Sequence, residues 1–168
     1  MKIIFLDIDG VLNLIPQGRD KYGDIFHPHF VANLKRLIDV TGAKIVISST
    51  WRMSGFDVMK NMWKDRKLPG DVIGITPIGY HLSQRDFNFK KWKDRTMPRG
   101  VEIQYWLDNT KDNIDNYVIL DDDTDMTKFQ FDNHYVKTSG NMGHPDCIDI
   151  GYGLTKICTD KAIKILNR

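Results

Sequence analysis

The chain has 168 residues, of which 41% are hydrophobic and 27% are charged, and its formal net charge is +2 at pH 7. This size and composition are ordinary for one globular domain, which we expect to span residues 1–168. No apolar run approaches the roughly 18 residues that a membrane span needs, and the amino terminus lacks a signal-peptide core. We therefore expect a cytoplasmic protein with no membrane partner. Cys147 and Cys158 lack metal-ligand spacing and indicate no disulfide framework.

The first predicted element is a short buried strand that ends in two carboxylates. Ile3 to Leu6 form an apolar run, Asp7 and Asp9 follow it, and Gly10 ends it. Like charges this close repel each other, and a divalent cation such as Mg²⁺, which prefers oxygen ligands, removes that cost. Ligands of open α/β sheets bind at the carboxyl ends of strands. The pattern predicts a metal-assisted acidic site, and a strand that merely ends in an acidic turn is the alternative.

A loop at residues 13–24 and a helix from about Pro28 to Gly42 are predicted next. The second strand, Lys44–Ile47, ends in three hydroxyls and an arginine, namely Ser48, Ser49, Thr50 and Arg52. Hydroxyls donate single hydrogen bonds, and arginine offers a planar fork of donors for phosphate oxygens. The group indicates an anion site, in which counting from the strand start favours Ser49. A helix N-cap cluster is the alternative.

A second helix at residues 56–67 and a third strand at residues 72–75 precede a stretch without a helical or strand period. We interpret this stretch, residues 78–98, as a basic loop insertion. The window from Arg85 to Arg99 holds six bases and two acids, a net charge of +4, with Phe87, Phe89 and Trp92 among them. Basic groups between aromatic rings suit single-stranded nucleic acid, and a solvated surface loop is the alternative.

A helix from Arg99 and a strand at residues 117–120 lead to a second acidic strand end. Four acids follow that strand within five positions: Asp121, Asp122, Asp123 and Asp125. Such a cluster is costly without a cation, although a solvated acidic turn is the alternative. A short strand at residues 134–137 and a closing helix at residues 154–166 complete the chain. The apolar face of that helix is predicted to hold Ile157, Ala162, Ile163 and Leu166.

The alternation of strands and helices predicts an α/β fold with a mainly parallel, five-stranded sheet flanked by helices. The motifs resemble those of the haloacid dehalogenase (HAD) superfamily of phosphotransferases. Asp7 to Leu12 is similar to the first motif, the hydroxyl strand end to the second, and Asp121-Asp122 to the fourth. For the third motif, a base near a helix start, we choose Arg99 and keep Lys93 in reserve. The resemblance implies a Rossmann-like HAD core, and the short gaps between motifs leave no room for a large cap domain.

The resemblance also implies roles for these residues. Asp7 would attack phosphorus to form an aspartyl-phosphate, and Asp9 would act first as an acid and then as a base. Mg²⁺ would be held by Asp7, the backbone carbonyl of Asp9, and Asp121 or Asp122. The remaining phosphate oxygens would be held by Ser49 or Thr50, Arg52 and Arg99.

Three longer strings, at residues 48–52, 99–107 and 120–126, are similar to a narrower group of proteins. They resemble the small HAD domains of nucleic-acid end-repair proteins, including polynucleotide phosphatases and Swiss army knife RNA repair proteins. This implies a Mg²⁺-dependent phosphatase that acts on 3′-phosphates of nucleic-acid ends or on nucleotides, with no obligate protein partner. A phosphatase of a small metabolite or phosphoprotein, and a non-catalytic phosphate-binding module, are the alternatives.

Overall fold

The structure, a computed structural model, describes residues 1–14, 17–79, 97–140 and 151–168. Its elements in chain order are β1 (Lys2–Leu6), β2 (Arg19–Asp20), β3 (Gly23–Asp24), α1 (Pro28–Thr41), β4 (Lys44–Ile47), a 3₁₀ helix (Thr50–Ser54), α2 (Phe56–Asp65), β5 (Val72–Ile75), α3 (Arg99–Asn109), β6 (Asn116–Asp121), α4 (Lys128–Asn133), β7 (Tyr135–Lys137) and α5 (Lys156–Leu166). None of these helices combines the length and the apolar character that a membrane crossing requires.

Five of the strands form one parallel sheet in the order β5-β4-β1-β6-β7. The α/β, Rossmann-like architecture and the parallel five-stranded sheet are therefore confirmed. The central strand β1 pairs with β4 on one side and with β6 on the other, so Leu6 lies between Ile47 and Leu120. Parallel strands place their carboxyl ends at one edge of the sheet, which we call the carboxyl edge.

The sheet is buried on both faces, and the two faces have cores of different size. Side chains alternate along β1, so Ile4 and Leu6 enter the larger core beneath α1, α2 and α5. Ile3 and Phe5 enter the smaller core, which α3 covers. In that smaller core the Phe5 ring meets the rings of Trp106 and Tyr117 edge-on, with centroid separations of 5.5 and 5.7 Å.

Three local predictions differ from the structure. Ile157 is 48% exposed, because the buried stripe of α5 follows Cys158, Ala162, Ile165 and Leu166 instead. The loop at residues 13–24 contains a small antiparallel hairpin, β2–β3. Helix α4 was not predicted. Its start has a capping box, in which the side chains of Thr127 and Gln130 accept hydrogen bonds from each other's backbone N–H groups, and this motif could have been recognised in the sequence.

The proposed basic loop falls almost entirely outside the described residues. Its bases and aromatic side chains there are Arg85, Phe87, Phe89, Lys90, Lys91, Trp92, Lys93 and Arg95. The nucleic-acid interpretation of that window, and the reserve role of Lys93, therefore stay predictions.

Candidate functional site

The carboxyl ends of the three central strands bring together residues that are far apart in the sequence. Asp7 follows β1, Ser49 lies two residues beyond β4, and Asp121 is the last residue of β6. The backbone pairing continues past the strands, because the N–H of Asp7 donates to Leu120 O at 2.9 Å and the N–H of Ser48 donates to Leu6 O at 2.9 Å. The predicted meeting of the acidic and hydroxyl strand ends is thus present.

Asp7, Asp121 and Asp122 form a compact acidic cluster. One carboxylate oxygen from each lies within 4.8 Å of the other two. Burial raises the pKa of Asp7, and the Arg99 charge and a hydrogen bond from Ser49 offset this only in part. Burial raises the pKa of Asp121, and the negative charge of Asp7 raises it further. Burial also raises the pKa of Asp122.

The acidic cluster has the donor set that a hard cation requires. Asp121 is 1% exposed, and its Oδ2 has no hydrogen-bond donor among the described residues. The nearest cation to that oxygen among the ion pairs of the described residues is Arg99, whose Nε lies 3.8 Å away. A buried carboxylate oxygen without a donor is costly, and a bound Mg²⁺ would remove that cost. The residues present therefore fit a magnesium ion.

Two glycines give the Asp122 carboxylate its space. A Cβ at Gly10 would lie 2.2 Å from Asp122 Cγ, and a Cβ at Gly140 would lie 2.1 Å from Asp122 Oδ2. Gly10 also has a φ of 74°, which favours glycine for a second reason. The requirement at Gly140 was missed from the sequence, because it arises from a contact between two distant loops.

Asp9 lies beside the cluster but outside it. Its carboxylate is exposed, and Trp51 Nε1 donates to Oδ2 at 3.0 Å while Asn13 Nδ2 donates to Oδ1 at 3.0 Å. Neither donor was predicted. Asn13 follows Asp9 by four residues and Trp51 follows the three hydroxyls, so both stood close to motifs in the sequence. They hold the Asp9 carboxylate in place while leaving it accessible to a substrate.

The three hydroxyls that the sequence left open have different surroundings. The Ser49 side chain is fully buried, hydrogen-bonds Asp7, and accepts a hydrogen bond from the Trp51 N–H. The Ser48 hydroxyl is buried without a hydrogen-bond partner among the described residues, and Thr50 is exposed. This geometry favours Ser49 as the hydroxyl that acts with Asp7. Ser49 also caps the 3₁₀ helix, so the N-cap interpretation holds as well.

Arg99 lies at the first position of α3 with its side chain towards the acidic cluster. The Asp125 carboxylate accepts its backbone N–H at 2.8 Å, which fixes the start of the helix. The positive charge of Arg99 opposes the raised pKa values of Asp7 and Asp121. Its Nη1 is buried and has no hydrogen-bond partner among the described residues. That nitrogen is therefore a donor that can bind a phosphate oxygen.

The surroundings of Arg52 do not favour its expected role as a phosphate ligand. The side chain is 4% exposed, and all five of its N–H groups are engaged by protein acceptors. These acceptors are the carbonyl oxygens of Ser48, Ser49, Thr76 and Pro77 and the carboxylate of Glu102. Because no donor is left over, Arg52 is placed to anchor the ends of β4 and β5 rather than to contact a substrate.

Glu102 completes a buried ion pair with Arg52 and extends it. Burial raises the pKa of Glu102 and lowers that of Arg52, and in each case the partner's charge opposes the effect. Glu102 also accepts the N–H of Gly79 at 2.8 Å. The pair thus ties α3 to the loops that follow β4 and β5. The sequence offered no signal for it, because the two residues are 50 positions apart.

We expect Asp121→Asn to stabilise the protein when divalent cations are removed with EDTA. The pKa of Asp121 is higher in the folded state than in an unfolded chain, so its charge destabilises the fold increasingly as the pH rises above about 4. At pH 8 the variant should unfold at least about 2–4 °C above the wild type, which corresponds to about 1 kcal/mol for a protein of this size. The difference should shrink towards pH 4, and Mg²⁺ should raise the melting temperature of the wild type more than that of the variant.

Asp132→Asn, an exposed acid on α4, is the control for this measurement and should change little at either pH. An Asp121→Asn variant that is less stable than the wild type at pH 8 in EDTA would contradict the account of the acidic cluster.

We expect Arg52→Met to destabilise the protein by about 3–5 kcal/mol, because it leaves the Glu102 charge buried without its partner. The double variant Arg52→Met/Glu102→Met removes both charges and should be more stable than the single variant. Urea unfolding of the two variants and the wild type measures both differences. A double variant that is less stable than Arg52→Met would show that Glu102 stabilises the fold without Arg52, through its hydrogen bond from the Gly79 N–H, and would contradict the buried-charge explanation.

Comparison with known families agrees with the arrangement of the site. No curated protein matches the chain. A family model described as "HAD domain in Swiss Army Knife RNA repair proteins" matches residues 3–144. The matched range begins in β1 and extends beyond β7, so it includes both acidic strand ends, Ser49 and Arg99. Since the match covers most of the 168 residues, the chain belongs to the family of HAD domains found in Swiss Army Knife RNA repair proteins.

Proposed function

We propose that this protein is a Mg²⁺-dependent phosphomonoester hydrolase in which Asp7 is the nucleophile. One observation carries the proposal: the buried Asp7 carboxylate lies among the Ser49 hydroxyl, the Arg99 guanidinium and two further carboxylates. A buried nucleophile beside hydrogen-bond donors and a cation-binding cluster is what transfer of a phosphoryl group to a carboxylate requires.

In the first half of the proposed reaction, an oxygen of Asp7 attacks the phosphorus of the substrate. A bond forms between that oxygen and phosphorus, and the bond between phosphorus and the ester oxygen breaks. Asp9 gives its proton to the leaving oxygen, so the alcohol departs neutral. The exposed carboxyl of Asp9 suits this step, because Trp51 and Asn13 hold it in place beside the buried nucleophile.

In the second half, water attacks the phosphorus of the aspartyl-phosphate. Asp9, now ionised, takes a proton from that water, and the bond between phosphorus and the Asp7 oxygen breaks. Inorganic phosphate leaves and both carboxyl groups return to their starting states. The same residue thus serves as acid and as base, which requires it to remain accessible while Asp7 is occupied.

The negative charge of the transferring phosphoryl group is balanced by hydrogen-bond donors on one side and by a cation on the other. Nη1 of Arg99, which has no hydrogen-bond partner among the described residues, donates to one phosphate oxygen. The Ser49 O–H, which donates to Asp7 in the free protein, turns to donate to a second phosphate oxygen during phosphoryl transfer. Mg²⁺ held by Asp7, Asp121 and Asp122 would supply Lewis-acid neutralisation of the remaining negative charge. The role proposed for Arg52 is now indirect, because it holds the backbone of Ser49 and not the substrate.

For the substrate, we propose a phosphate at a nucleic-acid end, with a 3′-phosphate as the first candidate, or a nucleotide. Membership of the family of HAD domains found in RNA repair proteins supports this choice. The basic window between Arg85 and Arg99 supports it as well, because its net charge of +4 would attract the phosphates of a nucleic acid. A phosphorylated metabolite or phosphoprotein is the competing class of substrate.

We expect Asp7→Asn to lower kcat on a generic phosphate ester, such as p-nitrophenyl phosphate with Mg²⁺, by at least about 1,000-fold, because the amide is a poor nucleophile. Far-UV circular dichroism and the melting temperature should show an intact fold. Asp132→Asn is the matched control and should retain full activity. A rate for Asp7→Asn close to that of the wild type would refute the nucleophile assignment.

We expect kcat/KM for a 3′-phosphorylated single-stranded oligonucleotide to exceed that for sugar phosphates by at least about tenfold, since each additional phosphate contact contributes to binding. Release of inorganic phosphate is measured for both, and for a 5′-phosphorylated oligonucleotide and a mononucleotide. Equal or better hydrolysis of the sugar phosphates would leave the hydrolase mechanism standing and remove the nucleic-acid substrate.

A further inference from the structure

A groove of about 750 Å³ lies beside the sheet, between α2 and the edge strand β5. Among its lining residues are Phe56 and three exposed lysines, Lys60, Lys64 and Lys67. The spacing of four residues places Lys60 and Lys64 on one face of α2, about 6 Å apart along its axis, and Lys67 lies two residues beyond the end of the helix. We call this feature the lysine groove.

The lysine groove is lined by three positive charges and one acid, Asp71. No ion pair between described residues includes Lys60, Lys64 or Lys67. Asp71 pairs with Lys44, and Asp65 pairs with Lys21, although the charge of Lys64 also helps to lower the pKa of Asp65. The excess of positive charge along the groove suits an anionic ligand.

Lys67 occupies its position at a conformational cost. Its φ is 53°, and it is the only non-glycine residue in the described ranges with a positive φ. Glycine adopts this left-handed conformation freely at the end of a helix, whereas other residues pay about 1 kcal/mol or more. The conformation of Lys67 closes the end of α2, since the N–H of Leu68 donates to Trp63 O at 2.9 Å. A lysine stands there although glycine would fit the backbone better.

The lysine groove runs from the carboxyl edge towards the opposite edge of the sheet. Helix α2 connects the carboxyl end of β4 to the amino end of β5, so it runs antiparallel to both strands. Phe56, at its first position, therefore lies towards the carboxyl edge, at which Asp7 also lies, and Lys67 lies towards the opposite edge. A strand that followed α2 from the carboxyl edge would meet Phe56 before the three lysines.

We propose that the lysine groove binds the sugar-phosphate backbone of a single-stranded nucleic acid whose phosphorylated end is at Asp7; this rests on the proposed function. The occupant follows from charge complementarity, because a strand offers one phosphate per nucleotide along the row of lysines. Phe56 lies at the near end, where Lys60 Nζ is 5.8 Å from the centroid of its ring, so the pair presents a cation beside an aromatic surface to a nucleotide. The groove thus extends the substrate contact beyond the terminal nucleotide.

The test compares two triple variants of the full chain that carry the same change in charge. Lys60→Gln/Lys64→Gln/Lys67→Gln neutralises the groove, and Lys111→Gln/Lys161→Gln/Lys164→Gln neutralises exposed lysines elsewhere. Fluorescence anisotropy measures the binding of a labelled 12-nucleotide single strand, with and without a 3′-phosphate, over a series of salt concentrations. Each lost phosphate contact should reduce the slope of log K against log salt by about 0.7, so the groove variant should lose about 2. The control variant should lose clearly less.

Lys67→Gly is a variant whose loss of nucleic-acid binding could not be attributed to misfolding. Glycine suits a φ of 53°, so the melting temperature should stay the same or rise. Affinity for the single strand should nevertheless fall, with a slope reduced by about 0.7. Wild-type affinity in this variant would remove Lys67 from the interface.

Activity separates this proposal from the proposed function. The groove variant should lose kcat/KM on the 3′-phosphorylated strand by at least tenfold and keep its rate on p-nitrophenyl phosphate within twofold. If the wild type hydrolyses neither compound but binds the strand through the groove, the hydrolase is wrong and the groove stands. Equal salt slopes for the two triple variants would overturn the groove, as would binding of an acidic peptide and not of the strand.

Discussion

Repulsion between buried carboxylates is the constraint on which the site depends. Asp7, Asp121 and Asp122 are held within 4.8 Å of one another at adjacent strand ends, and burial makes their charges still more costly. The parallel order of the sheet imposes this closeness, because β1 and β6 are neighbours. Two neighbouring side chains reduce the electrostatic cost of the Asp7 charge in part, because Arg99 supplies a positive charge and Ser49 donates a hydrogen bond. Carboxyl groups with raised pKa values occur most often at functional sites, which supports the placement of the candidate site at these strand ends.

Two arginines near the site were both predicted to bind phosphate, but the structure gives them different roles. Arg52 and Arg99 each have a largely buried side chain. Arg52 has every donor bound within the protein, so its charge stabilises the loops. Arg99 keeps an unbonded nitrogen among the described residues, so its charge is available at the reacting group. The number of unsatisfied donors, and not the residue type, distinguishes a ligand-binding arginine from a supporting one.

The sequence predicted well the features that depend on local patterns. The apolar runs of β1, β4 and β6 are continuous and end in polar clusters, so both these strands and the residues at their ends could be identified. Features that arise from contacts between distant segments could not. The Arg52–Glu102 pair, the space at Gly140 and the Trp51 contact with Asp9 each join parts of the chain that no spacing connects. Ile157 was misplaced for a related reason: several helical faces of α5 contain apolar residues, and only packing against α1, β6 and β7 selects one.

Helix α3 links the thermal stability of the candidate site to the smaller of the two cores. It carries Arg99 and Glu102 at one end, while Ile103 and Trp106 pack on the face of the sheet that contains Phe5. That core has few members, so its local opening costs less than disruption of the core beneath α1, α2 and α5. Detachment of α3 would remove the Arg99 charge and the Glu102 anchor together while most of the sheet stayed folded. On heating, the candidate site would then be lost before most of the secondary structure.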